Sequence, residues 1–265
     1  MALALFQRAA DCLALSSPEE KCTAVTDLWL AVQLGNFEFD PHTPVTPIGV
    51  AGRPGKPDLV DPSQVPRRRL GSKEGRAALV HAITHIEFNA INLALDAAYR
   101  FRDMPRQYYL DWISVAADEA RHFQLLNFRL GQLGFSYGDF PAHNGLWEMA
   151  LKTADDCLMR MALVPRVLEA RGLDVTPGMI ERLKSAGDVE TARILQIILD
   201  EEVRHVQIGS YWFHLCCDQQ GLEPESTFLR LLKEHFSGSL RGPFNMPARM
   251  KAGFSQREME AISAL

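Results

Sequence analysis

The sequence predicts an all-α chain: a four-helix bundle over 73–221, a helical and proline-rich extension over 1–72, and a helical appendage over 222–265. Three observations carry this reading. Apolar residues recur at helical spacing from Ser72 to Gly221, β-branched runs are scarce there, and no Asn-Gly or Asp-Gly hairpin signal sits between alternating apolar segments. With 265 residues, 47% of them apolar, the chain has ample material for a core, which excludes a disordered tail protein.

Two short helices come first, Leu3 to Leu15 and Pro18 to Leu34, able to pair as a hairpin. Ser17 is the N-cap of the second, with Glu19 and Glu20 in its first turn. Residues 41 to 66 hold seven prolines and must be extended and irregular; a loop of this length serves as a functional cover or is disordered. The bundle helices fall at about 73–101, 105–133, 144–171 and 188–220, ended by Asp103-Met104-Pro105, Gly134, Gly172 and Gly221. Pro165 should kink the third, and Thr176-Pro177 opens a short helix after it. Pro224 to Phe236 reads as a further helix, followed by the irregular Gly242-Pro243-Phe244-Asn245 and one short final helix.

Charge and cysteine usage narrow the class. Lys plus Arg number 28 against 33 Asp plus Glu, a net charge of -5, so there is no overall basic footprint for nucleic acid. Five cysteines without CxxC spacing fit neither a disulfide framework nor a structural zinc site, and imply a reducing compartment. No apolar run approaches the roughly 18 residues of a membrane helix, and the first 15 residues lack the basic start of a signal peptide. The expectation is a soluble, cytoplasmic protein without membrane partners.

The chemistry lies in a repeated motif. Asp118-Glu119-Ala120-Arg121-His122 and Glu201-Glu202-Val203-Arg204-His205 share the pattern acidic-Glu-x-Arg-His. Glu and His three apart lie on one helix face and can offer a carboxylate and an imidazole to one ion. With 17 Glu and 8 His, chance gives about 0.5 Glu-x-x-His per chain, and about 0.005 once the acid and the Arg are required. Each pair interrupts an apolar stripe: Trp112, Val115, Glu119, His122, Leu126, Leu130 in one helix, and Leu195, Ile198, Glu202, His205, Gly209, Trp212 in the other. A carboxylate on a core-facing stripe destabilises the fold unless it is paired or ligated.

A two-metal site in a bundle takes one more Glu from each remaining helix. Glu87 lies 16 residues before Asp103 and Glu119 lies 16 after it, so both sit about 24 Å from the turn. Glu87 also falls on the stripe Val80, Ile83, Glu87, Ala90, Ala94. Glu169 precedes Glu202 by 33 residues, where 32 separate Glu87 from Glu119, and the offsets between the halves are 82, 83 and 83 residues. The chain thus reads as an internal repeat of helix pairs, untidy at Glu169, where Gly172 and Pro177 interrupt the limb.

Four carboxylates balance two divalent ions, with His122 and His205 neutral. Oxygen and imidazole ligands without thiolate suit iron or manganese, alone or mixed, and zinc also binds such sets tightly. Asp118 and Glu201 are placed to accept the remaining imidazole N–H groups, with Arg121 and Arg204 neutralising those acids.

At these residues the chain resembles the ferritin-like di-iron carboxylate superfamily, which uses Glu, Glu-x-x-His, Glu, Glu-x-x-His. The stricter acidic-Glu-x-Arg-His form is similar to oxygen-activating members such as ribonucleotide reductase small subunits and multicomponent monooxygenases. Carried over, the resemblance implies Glu87, Glu119, His122, Glu169, Glu202 and His205 as the metal-holding and catalytic set, with two iron ions, O2 as co-substrate and a bond from Asp118 and Glu201 to the opposite helix's imidazole. Most of the chain, including HIEFNAINLALDAAYRF, YYLDWISVAADEARHF, ALVPRVLEARGLDVTPGM and EEVRHVQIGSYWF, resembles a bacterial ferritin-like family labelled as a domain of unknown function. Glu169-Ala170-Arg171 also resembles the tRNA-hydroxylating MiaE enzymes.

The expected function is therefore a di-iron oxygenase or oxidase acting on an organic or nucleotide-like substrate, supplied with electrons by a reductase. Alternatives are a ferroxidase or iron-handling protein, manganese catalase-like peroxide disproportionation, and a metal-free helical interaction protein; a homo-oligomer is compatible with all. The extensions suit lids over a pocket better than the subunit of a storage cage. His81, His85, the aromatic residues Tyr108, Tyr109, Trp112, Tyr211 and Trp212, and the Cys216-Cys217 pair read as packing or surface groups. Arg67-Arg68-Arg69 reads as a solvated loop face able to meet a phosphate.

Overall fold

Several of the longer helices begin where the sequence supplies a capping side chain. In a computed structural model describing residues 2–40, 44–65, 69–236 and 242–264, Ser17 Oγ accepts from the Glu20 N–H at the start of α2 (Pro18–Gln33), and Ser72 Oγ accepts from the Gly75 N–H at the start of α3 (Lys73–Arg100). The chain is all-α apart from two residue pairs and one isolated bridge among the described residues. Leu3–Ala4 (β1) and Phe37–Glu38 (β2) form a parallel pair on either side of α1 (Leu5–Ala14) and α2, too short to be read from sequence.

The chain divides into two compact units, Met1–Leu151 and Lys152–Leu265. The division falls inside the stretch 73–221. In the first unit α3 pairs with α4 (Arg106–Gln132), α1 packs on α3, and α2 packs on α4, so the N-terminal helices share the core of the α3–α4 pair. Leu5, Leu13, Val25, Leu28, Ile91, Ile113 and Leu126 are wholly buried in it.

The described part of the proline-rich segment is held to this unit by backbone hydrogen bonds. Tyr99 Oη accepts from the Thr46 N–H and donates to the Pro44 carbonyl; the Trp147 indole, on α5 (Gly145–Lys152), donates to Gly49; Gly52 and Leu13 bond through their backbones; Val60 and Ala142 do likewise. Gly52 is required where it lies, since a Cβ there would stand 2.2 Å from the Ala14 carbonyl oxygen. Pro41, Pro66, Arg67 and Arg68 lie outside the described residues.

The second unit corrects the expected third and final helices. Instead of one helix over 144–171, the chain breaks after α5 at Thr153–Asp156, where Asp156 caps α6 (Cys157–Leu163) by accepting from the Met159 N–H. Val164–Glu169 then forms a π-helical segment, and α7 runs over Ala170–Ser185. Gly172 does not end a helix and Thr176-Pro177 does not open one, as was expected of each; all three residues lie inside α7. Pro177 cannot donate to the carbonyl of Leu173 one turn back, and the Asn245 side-chain amide donates to that carbonyl at 3.1 Å instead. The Gly242–Asn245 stretch therefore repairs a helix and packs on α7. α8 (Val189–Gln220), capped by Asp188 and ended by Gly221 at φ 65°, packs against α6, the π segment and α7. After α9 (Pro224–His235) the expected single final helix is two, α10 (Met246–Lys251) and α11 (Gln256–Ser263), parted at Gly253 with φ 94°. Among the described residues no helix is long and apolar enough to cross a membrane.

Candidate functional site

In the first unit the antiparallel α3–α4 pair brings Glu87, Glu119 and His122 together. His122 Nδ1 lies 3.2 Å from Glu119 Oε2 and 3.5 Å from Glu87 Oε2. One ligand atom of each of the three lies within 4.8 Å of the others, and Glu119 and His122 are wholly buried. The equal 16-residue distances from Asp103 put the two carboxylates at one height, as the helix rise requires.

The stripes carrying them are apolar and buried: Val80, Ile83, Ala90 and Ala94 on α3, and Trp112, Val115, Leu126 and Leu130 on α4. Burial pushes the Glu87 carboxyl well above its ordinary value, and the charge of Glu119 adds to the effect. Burial alone would lower the His122 imidazole, but its bonds to Glu119 and Glu87 outweigh this and hold it up at about 11. Two carboxylates and an imidazole on one point are a donor set for a divalent cation, which would take the place of the protons this trio otherwise keeps.

In the second unit α8 presents Glu202 and His205 with the same local geometry: His205 Nδ1 lies 2.8 Å from Glu202 Oε2, and His205 is wholly buried. Glu169 is the last residue of the π segment and is also buried. The π turn is explicit in its bonding, since the Ala170 N–H donates to the Pro165 carbonyl five residues back. Pro165 packs flat on Gly209 of α8, where a Cβ would stand 2.2 Å from the proline Cβ. The kink expected at Pro165 is thus taken up as a π segment.

The four flanking residues sit nearer the surface. Asp118 and Glu201 are half-buried, Arg121 and Arg204 are exposed, and Arg121 Nη2 donates to Asp118 Oδ1 at 3.4 Å. Tyr108, Tyr109, Trp112 and Trp212 are buried, whereas Tyr211 is 59% exposed and is no part of a core. Cys216 and Cys217 are buried free thiols; a hydrogen bond with Cys157, together with burial, raises Cys216 far above its ordinary value, and burial pushes Cys217 up to about 11.

Sequence reasoning did not find the Arg166–Glu258 pair, and it read His81 and His85 as packing or surface groups without their partners. His81 and His85 are buried and organise the loop after α4. The Gly138 N–H donates to His81 Nε2 at 2.9 Å, and the Tyr137 hydroxyl and His85 Nδ1 are 2.7 Å apart. Tyr137, with Phe123, Pro54 and Asn127, lines a cleft of about 390 Å³. In the second unit Arg166 and Glu258 form a fully buried ion pair. Its visible signals were an arginine between Val164 and Val167 and the Ser255-x-x-Glu258 capping box.

A relative from Haemophilus influenzae (strain ATCC 51907 / DSM 11121 / KW20 / Rd), described as an uncharacterized protein, is 44% identical over 267 residues, covering 97% of this chain and 93% of the relative. No solved structure matches the chain. A family model described as protein of unknown function (DUF455) matches residues 14–260. The chain therefore belongs to the DUF455 family.

Proposed function

We propose that this protein is a ferritin-like non-haem iron protein that holds two iron ions per chain and uses O2 to hydroxylate or otherwise oxidise an organic substrate. The observation that carries the proposal is the convergence of Glu87, Glu119 and His122 on one point of a buried interior. Three ionisable side chains placed there by chance would cost several kcal/mol each in desolvation. The second set, Glu169, Glu202 and His205, repeats the same residue types at the offsets of the sequence repeat. Iron bound to such sets supplies O2 activation.

The chain's own contribution is position and exclusion of water. The helices fix the carboxylates, and Phe88 and Phe123, each one residue beyond a proposed ligand, pack on one another at 5.6 Å. Asp118 and Glu201 are proposed to orient the imidazoles, and an external reductase to return electrons.

The test is metal analysis of protein purified anaerobically from its own host, followed by O2 exposure under optical spectroscopy. Iron in the preparation and an O2-dependent absorption change support the proposal. Assembly into a closed cage that mineralises many irons per chain would replace it with iron storage. Manganese with O2 release from peroxide would replace it with catalase-like chemistry.

A further inference from the structure

The π segment carries two buried charged side chains with different partners. Glu169 is a proposed metal ligand. Arg166, three residues earlier and about two-thirds of a turn away, is fully buried and donates from Nη2 to both carboxylate oxygens of Glu258 at 2.8 Å. Its guanidinium also lies over three rings: Phe228 at 4.2 Å, Phe254 at 4.5 Å and Phe213 at 4.7 Å. Phe213 belongs to α8, Phe228 to α9, Phe254 precedes α11, and Glu258 lies in its first turn.

Elements distant in sequence thus close on one side chain of a six-residue segment. The segment depends on its surroundings, because a π turn is rarely stable on its own and Pro165 removes a backbone donor within it. On its other side Pro165 meets Gly209, one turn after His205. Glu258 is itself fixed by accepting from the Ser255 N–H at 2.8 Å. A charged group caged this way needs its counter-ion, and a guanidinium whose Nη2 is shared between both Glu258 oxygens while it lies among three rings has its orientation set as well as its distance.

We infer that Arg166 and Glu258 are positioning residues: the C-terminal appendage clamps the π segment through this ion pair and so sets where Glu169 presents its carboxylate. The inference rests on the reading of Glu169 as a metal ligand. It gives 222–265 a role other than that of a lid, since its anchor is the backbone that carries a ligand.

The experiment measures anaerobic Fe(II) binding to the full chain, with circular dichroism and thermal unfolding on each variant. Glu258→Gln keeps the shape and removes the charge; Arg166→Lys keeps the charge and removes the planar guanidinium; Arg166→Met with Glu258→Leu replaces the pair by apolar groups and spares the fold a lone buried charge. Each is expected to weaken one of two Fe(II) ions roughly 10- to 100-fold and leave the other unchanged. A merely structural pair would lower thermal stability without this selectivity. In a Glu169→Gln background the clamp variants should add no further loss, because they act through the residue already removed. Variants that bind both ions like the unmodified chain, weaken both ions equally, or add their full loss to that of Glu169→Gln would overturn the inference. Should Glu169→Gln alone bind both ions normally, the ligand assignment fails instead, and the clamp falls with it for that separate reason.

Discussion

In the first unit Glu87 sits on an uninterrupted α-helix, Lys73–Arg100, whereas its counterpart in the second unit, Glu169, closes a π segment between two α-helices. The repeat is faithful in Glu-x-x-His and fails nearby. At the repeat offsets, Ile83 and Leu126 of the first unit correspond to Pro165 and Gly209 of the second, and Thr84 corresponds to Arg166. Leu126 is wholly buried in its helix pair. A leucine at 209 would have nowhere to go, because Pro165 already fills the space a Cβ would need. Regular helices are held together by apolar packing, and an irregular one needs small residues at its contact and a polar clamp to fix it. One sequence pattern of Glu and Glu-x-x-His thus lies on two kinds of backbone.

The largest effect should come from breaking the regular half. Leu126→Ala deletes a wholly buried side chain from α4 and is expected to cost about 2–5 kcal/mol of unfolding free energy in urea. A loss under about 1 kcal/mol would show that α4 collapses into the gap and that the first unit is as yielding as the second. Gly209→Ala comes next, at about 1–3 kcal/mol, since the new methyl meets Pro165 and the π segment must shift. The same variant should weaken Fe(II) binding to one ion. An unchanged chain in both respects would remove glycine from the explanation of the π segment.

A third prediction concerns pH and is confined to the first unit. Lys21 is wholly buried, with Nζ donating to the Leu13 carbonyl and to Asn92 Oδ1, and burial lowers its amine to about 7. An unfolded lysine titrates near 10.4. Between those values the unfolded chain binds the extra proton, so stability should rise with pH by up to about 1.4 kcal/mol per unit. Lys21→Met should flatten that slope between pH 7 and 9, as read from urea midpoints. An identical slope in the variant would place its origin elsewhere. The smallest effect is expected at the exposed Arg193–Glu190 pair of α8, where Arg193→Ala should change stability by less than about 0.5 kcal/mol.

The regular half was largely legible in the sequence. Ser17 and Ser72 mark helix starts, and 16-residue symmetry about Asp103 nominates Glu87 as the partner of Glu119. The irregular half was legible only in its ingredients. Pro165, Gly172 and Pro177 signal trouble, yet whether a proline ends a helix or is carried within it depends on what satisfies the freed carbonyl. For Pro177 that group is Asn245, 68 residues downstream. The Arg166–Glu258 pair is hidden for a similar reason, since a charge in a helix looks solvent-facing until a distant counter-ion is found. The two-residue strand pair leaves no sequence period to detect.

The central claim is that both halves of the repeat bind metal, and counting it tests that most directly. Iron per chain should be measured by elemental analysis in protein purified anaerobically, for the unmodified chain, Glu119→Ala and Glu202→Ala. The account predicts two ions in the unmodified chain and loss of metal in each variant; retention of two ions by both variants would contradict it.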